Sequence, residues 1–130
     1  MPPTPSRPSK TQILIVDDDY STRGLLSDML VTHGYEVCMA PRVADVRAFF
    51  EAIQPDGVLL DWKLPDGDGI DLLPEIKRQW PHSQVVMISG YATPDVEQEA
   101  LKHGAFRFLM KPFYIDDLLK AVKDAHEHQT

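Results

Sequence analysis

A single cysteine, Cys38, stands among 130 residues, so no internal disulfide can form. A disulfide scaffold is excluded, and a reducing compartment, read here as the cytoplasm, is the expected location. No apolar run approaches the ~18 residues that a membrane span needs. The opening MPPTPSRPSK holds no apolar stretch of the secretory kind, so neither insertion nor export is written into it. Positive charge is also scarce: 13 basic residues face 20 acidic ones, a formal net charge of -7. A chain of that sign lacks the basic footprint that attracts phosphate backbones, which argues against direct nucleic-acid binding. What remains is ordinary: 43% hydrophobic and 25% charged residues in about one domain's length, enough to bury a self-sufficient core.

The acid is unevenly placed. Asp17, Asp18 and Asp19 are consecutive, and Asp61, Asp66, Asp68 and Asp71 crowd one later stretch. Like charges side by side cost stability unless something positive sits among them. Residues 1–10 carry four of the eleven prolines together with Arg7 and Lys10, and read as a flexible or polyproline-like arm outside the fold. Pro5 and Pro8 formally match a PxxP ligand, but a terminal tail is the simpler reading. Without the arm, 11 basic residues face 20 acidic ones, so the folded part carries about -9.

From Gln12 onward, short apolar runs alternate with segments of helical period. Strands are expected over 13–16, 35–40, 57–60, 84–88 and 106–110. Helices are expected over 21–33, with Ser21 as cap and Gly34 just past the end, and along the stripe Val43, Val46, Phe50 and Ile53. Ile70, Leu73, Ile76 and Trp80 mark a third, in which Pro74 implies a start near Leu72 or a kink. Thr93 and Pro94 cap a fourth that stops at Gly104, and the fifth runs over 115–126. The fourth has few apolar anchors, chiefly Val96 and Leu101. Five βα units in strict alternation imply one parallel sheet with helices on both faces, an α/β doubly wound fold that binds ligands beyond the carboxyl ends of its strands.

Those ends carry chemistry of one kind. Strand one runs into Asp17, Asp18 and Asp19, strand three into Asp61, strand four into Ser89, and strand five into Lys111 and Pro112. Converging carboxylates call for a hard divalent cation with oxygen ligands, Mg²⁺ or Mn²⁺. A lysine and a hydroxyl beside it suit a phosphoryl group.

The blocks ILIVDDD, VLLDWKLPDGDG, VVMISGY and FRFLMKPF resemble, in order and spacing, the motif blocks of the receiver domain of bacterial two-component response regulators. The resemblance covers residues 12–127 and sets the domain at 11–127, with 128–130 as a tail. It implies a flavodoxin-like fold with strand order 2-1-3-4-5, and often a cis peptide before Pro112. Asp61 matches the aspartate that accepts a phosphoryl group from a phosphohistidine on a sensor histidine kinase or histidine phosphotransfer protein. Asp17, Asp18, Asp61 and the backbone carbonyl of Lys63 match the magnesium ligands. Ser89 and Lys111 match the groups that hold the phosphoryl oxygens, and Phe108 falls at the aromatic switch position. The family commonly signals through the face of the fourth helix, fifth strand and fifth helix, so a phosphorylation-dependent homodimer or partner contact is expected there. Such a chain is a signalling phosphoacceptor and not an enzyme acting on other substrates.

Some positions leave alternatives open. The acidic pair could be Asp18 and Asp19, although alignment with the strand favours Asp17 and Asp18. Phe108 lacks the hydroxyl of a tyrosine, and is either a switch working by ring packing or a plain core aromatic. Lys63 and Tyr91 flank the approach of water to Asp61 and are expected to set the lifetime of a phosphoryl group. Trp62 could report cation binding, or simply pack. Residues 66–71 hint at a calcium loop, but the sixth position is Asp71 and the twelfth Lys77, against glycine and glutamate. Gly67 and Gly69 are assigned to the turn instead. An aspartyl-phosphate phosphatase would want a second Asp two residues after Asp61, where Lys63 stands. Cys38 has no histidine placed near it, and His126 and His128 read as a frayed helix end. The alternative function is a receiver fold used as a phosphorylation-independent interaction module. Nothing after His126 reads as a further domain, so the chain is expected to be a single-domain regulator or the front of a longer one.

Overall fold

Alternation within the strands decides the architecture. Leu14 and Val16 point into one buried cluster while Ile13 and Ile15 point into another, the period-two division that sends successive side chains to opposite faces. A strand apolar on both faces has to be covered on both. The structure, a computed structural model describing residues 11–90 and 93–128, does this with one five-stranded parallel sheet. Its strands are β1 (Gln12–Val16), β2 (Glu36–Ala40), β3 (Gly57–Asp61), β4 (Gln84–Ser89) and β5 (Arg107–Met110). They lie in the order β2-β1-β3-β4-β5, as the resemblance implies. The expectations for residues 1–10, 129–130 and Tyr91 fall outside the described residues.

The helices are α1 (Tyr20–Thr32), α2 (Val43–Phe49), α3 (Gly69–Gln79), α4 (Pro94–Lys102) and α5 (Ile115–Glu127). Helices α1 and α5 cover one face, through Leu26, Leu30, Leu118 and Val122. The other three cover the opposite face, through Val46, Leu73, Ile76 and Ala100. Trp80 closes that second core: it is 1% exposed, meets Phe50 edge-on at 4.9 Å and donates its indole N–H to the Ile53 carbonyl at 2.8 Å. A buried indole is comfortable only with such an acceptor.

Several boundaries move, with consequences. Strands β3 and β4 each run one residue further than expected, so Asp61 and Ser89 are ladder residues and not loop residues. Strands β2 and β5 each begin one residue late. Helix α1 starts at Tyr20, capped by Asp19 and not by Ser21. Helix α2 stops at Phe49, leaving Phe50 and Ile53 half-buried beyond its end. Helix α3 starts at Gly69, well before Leu72, and carries Pro74 in its interior on the solvent side. The bond that a helical proline forfeits therefore lies where water can reach. Thr93 and Pro94 do open α4, with Thr93 Oγ1 accepting from Val96 N–H at 3.3 Å. Leu101 is not an anchor of that helix: it is exposed, Val96 is half-buried, and Ala100 is its buried residue. Gly34 and Gly104 take positive φ just past α1 and α4, where helices commonly end on a left-handed glycine. A two-residue antiparallel pair, Lys63–Leu64 with Gly67–Asp68, was not expected and forms a hairpin between β3 and α3.

Candidate functional site

Parallel strands deliver their carboxyl ends to one edge, and backbone bonds carry the ladder past each end. Asp17 N–H donates to the Ala40 carbonyl at 3.3 Å, Trp62 N–H to that of Ile88 at 2.9 Å, and Lys111 N–H to that of Ser89 at 2.8 Å. The residues expected at the site thus hang from the sheet itself. Asp17, Asp18 and Asp61 each turn one carboxylate oxygen into a cluster whose atoms lie within 4.8 Å of one another. Lys111 Nζ bridges Asp17 Oδ2 at 2.8 Å and Asp61 Oδ2 at 3.2 Å. The peptide bond from Lys111 to Pro112 is cis. Ser89 is 1% exposed at the end of β4, the strand that pairs with β3.

Electrostatics single out Asp61. Burial first, and the charge of Asp17 second, push its carboxyl above the usual aspartate range, and Lys111 only partly opposes them. Burial likewise opposes the charge on Lys111, but its hydrogen bond to Asp17 and the charges of Asp17 and Asp61 outweigh that and raise its pKa. One ammonium shared between two buried carboxylates leaves the cluster short of positive charge. An all-oxygen, hard-donor set in that condition fits Mg²⁺, which tolerates few protein ligands and retains its waters.

The Asp19 carboxylate stands outside the cluster, although the Asp19 N–H donates to Asp17 Oδ1 at 2.9 Å. Its carboxylate accepts from Thr22 N–H at 2.8 Å and from Thr22 Oγ1 at 2.5 Å, capping α1, and those bonds hold its pKa below the usual aspartate value. Such a carboxyl stabilises the fold above its unfolded pKa and loses that contribution as pH falls. Asp19→Ala is therefore expected to lower the melting temperature at neutral pH, less so in acid, with Mg²⁺ affinity unchanged. A loss of Mg²⁺ affinity as large as that of Asp18→Ala would instead put Asp19 on the cation.

The remaining expected residues are placed as follows. Lys63 is exposed, its N–H 3.4 Å from Asp61 Oδ1 and its ammonium 3.5 Å from Asp68 Oδ1. Trp62 is half-buried and, with Lys63, Ser89 and Val96, lines a groove at this edge. Phe108 is half-buried against the core and lines a second opening with Thr93, Pro94, Glu97 and Met110. Cys38 lies on β2, half-buried. Among the described residues, no helix is long and apolar enough to cross a membrane.

Two contributors were missed in the sequence. Arg23 donates to the Asp17 carbonyl at 2.8 Å and steadies the acidic pair from α1; no local signal marks it. Gly69 was given to a turn, yet it is the first residue of α3 and lies against the phosphoacceptor candidate's own backbone. A Cβ at Gly69 would stand 2.2 Å from the Asp61 carbonyl oxygen.

Known proteins of the same fold are recognisable. A family model described as the response regulator receiver domain matches residues 13–123. Sporulation initiation phosphotransferase F of Bacillus subtilis (strain 168) is 37% identical over 112 residues, covering 86% of this chain and 90% of its own length. Regulatory protein AtoC of Escherichia coli (strain K12) is 35% identical across 92% of this chain, which spans only 26% of that protein's length. The crystal structure of a CheY-like response regulator receiver domain protein from Methanospirillum hungatei JF-1 superposes with a TM-score of 0.87 at 34% identity, covering 93% of this chain and 97% of that one. With the fold of the superposed receiver structure shared and the family model spanning residues 13–123, the chain belongs to the response regulator receiver domain family.

Proposed function

We propose that Asp61 accepts a phosphoryl group from a phosphohistidine on a sensor histidine kinase or histidine phosphotransfer protein, and that the domain passes this state to a partner. The observation that carries the reading is the convergence of Asp17, Asp18 and Asp61 around Lys111 at the strand ends. One Asp61 oxygen attacks phosphorus in line; the P–N bond breaks as the P–O bond forms, and the departing imidazole nitrogen keeps the electron pair and takes a proton. Asp17, Asp18, Asp61 and the Lys63 carbonyl would hold Mg²⁺, which when bound would neutralise charge on the transferring group. Lys111, already between two carboxylates, turns its ammonium toward the new phosphoryl oxygens, and the Ser89 hydroxyl binds one of them. Lys63 obstructs the water that would hydrolyse the acyl phosphate.

The readout is the face of α4, β5 and α5, where Leu101, Met110 and Tyr114 are exposed and Phe108 borders an opening beside Thr93, Pro94 and Glu97. Helix α4, with Ala100 alone buried, is the less anchored of the two helices on that face. Treatment with acetyl phosphate or phosphoramidate and Mg²⁺ is expected to add one phosphoryl group by intact mass, to perturb Trp62 fluorescence and to increase self-association in sedimentation. No mass increment with either donor would overturn the reading and leave the fold as an interaction module that works without phosphorylation.

A further inference from the structure

The crowded acid of residues 66–71 is only partly used by the site, and Asp66 has a different task. Helix α2 starts without a cap of its own, because Arg42 at its N-cap places no side chain on the first-turn amides. Those amides are met from across the fold: Val43 N–H donates to Asp66 Oδ1 at 2.8 Å and Ala44 N–H to Asp66 Oδ2 at 3.0 Å. A carboxylate taking two orphan amides makes charge-assisted bonds at the favourable end of the helix dipole. Desolvation opposes the Asp66 charge, but the amides of Ala44 and Val43, with its own amide and the charge of Arg42, outweigh it and lower the pKa.

Asp66 occupies the turn of the hairpin that leaves Asp61. That hairpin is pinned at its base by Gly69, whose N–H donates to the Trp62 carbonyl at 2.6 Å, and along one strand by Leu64, 8% exposed in the core. At its tip the ties are to α2: the Asp66 cap, and the Val43 side chain lying beside Gly67. A backbone carbonyl used as a metal ligand has no side-chain torsion with which to adapt, so its place depends on the backbone alone. Whatever fixes the hairpin therefore fixes the Lys63 carbonyl.

We propose that Asp66 is a positioning residue for the cation site, clamping the hairpin tip to the first turn of α2 so that the Lys63 carbonyl is held ready for Mg²⁺. The inference rests on the magnesium reading given above. Linkage makes it reciprocal: if the cap supports the cation, the cation supports the cap.

The test uses the full chain, with Mg²⁺ affinity read by Trp62 fluorescence and calorimetry and melting temperature measured alongside. Asp66→Ala is expected to weaken Mg²⁺ binding about tenfold, the scale seen when groups orienting a metal ligand are removed. Asp66→Asn, with one oxygen left to accept, falls between. Val46→Ala, which opens a cavity beneath α2 without touching the cap, is expected to lower the melting temperature and leave the affinity alone. In wild type, Mg²⁺ is expected to slow hydrogen exchange at the Val43 and Ala44 amides. Unchanged affinity in Asp66→Ala, or an equal loss in Val46→Ala, overturns the positioning role while the magnesium reading stands. A wild-type chain that binds no Mg²⁺ overturns both.

Discussion

Replacing Asp61 with Asn is expected to abolish labelling by a small phosphodonor and, in the absence of divalent cation, to make the chain more stable. The first effect follows from chemistry: an amide cannot serve as the nucleophile that forms the acyl phosphate. The second follows from the charge imbalance around Lys111. Asp61 is 8% exposed, and burial and Asp17 hold its carboxyl above the usual range. A carboxyl that binds its proton more tightly in the folded chain than in the unfolded one costs stability once ionised, so stability falls as pH rises through the folded pKa. At neutral pH the wild-type chain carries that cost. Asn keeps the shape and removes the charge, while Lys111 retains Asp17 at 2.8 Å. A rise of about 3–5 °C in melting temperature corresponds to about 1 kcal/mol for a domain of this size. Added Mg²⁺ should stabilise wild type by mass action and the variant much less. Persistent labelling of Asp61→Asn would place the phosphoacceptor elsewhere, and a lower melting temperature would contradict the account of the cluster.

Gly69→Ala is expected to cost about 3 kcal/mol or more, at the upper end of what overpacking does. The methyl would meet the Asp61 carbonyl oxygen at 2.2 Å, its carbon at 3.1 Å and Leu60 Cγ at 3.2 Å. The obstacle is the backbone of β3, held by β1 on one side and β4 on the other, so it is the start of α3 that has to move. That shift strains the Gly69–Trp62 bond and disturbs Asp61, so labelling should slow as stability falls. Gly24 supplies an internal contrast. It lies within α1, exposed, and a Cβ there meets nothing within 4 Å. Gly24→Ala should raise stability by about 0.5–1 kcal/mol, the ordinary helix preference for alanine. Urea denaturation of the two variants reads the same substitution with opposite signs; a neutral Gly69→Ala would mean that α3 can yield without resistance.

The parts of this molecule that could be read from its sequence are those governed by local period. Ile13–Val16 and its counterparts announce buried parallel strands, and once the strands are parallel, Asp17, Asp61, Ser89 and Lys111 have to share an edge. What could not be read depends on contacts between distant segments. Pro74 left a late start to α3 or a kink as alternatives, and the late start fails: the helix begins at Gly69, which packs under the Asp61 carbonyl while Leu72, Leu73 and Ile76 are buried, and carries Pro74 inside. Ser21 and Asp19 are equally good caps by type; the path of the chain leaving β1 chose Asp19. Leu101 looked like an anchor by hydrophobicity, yet it is Ala100, small enough to sit against the core, that α4 buries. The Asp66 cap joins residues 22 and 23 positions apart, beyond any capping pattern that sequence spacing can show.

The ladder bonds that extend past the strand ends have a consequence for motion. The amides of Asp17, Trp62 and Lys111 are tied to carbonyls of neighbouring strands, those of Ala40, Ile88 and Ser89. Amides tied in this way open with the sheet and not with a loop. These three amides are therefore expected to exchange with the strands that hold them, so the backbone under Asp17, Asp61 and Lys111 should open only when the sheet does.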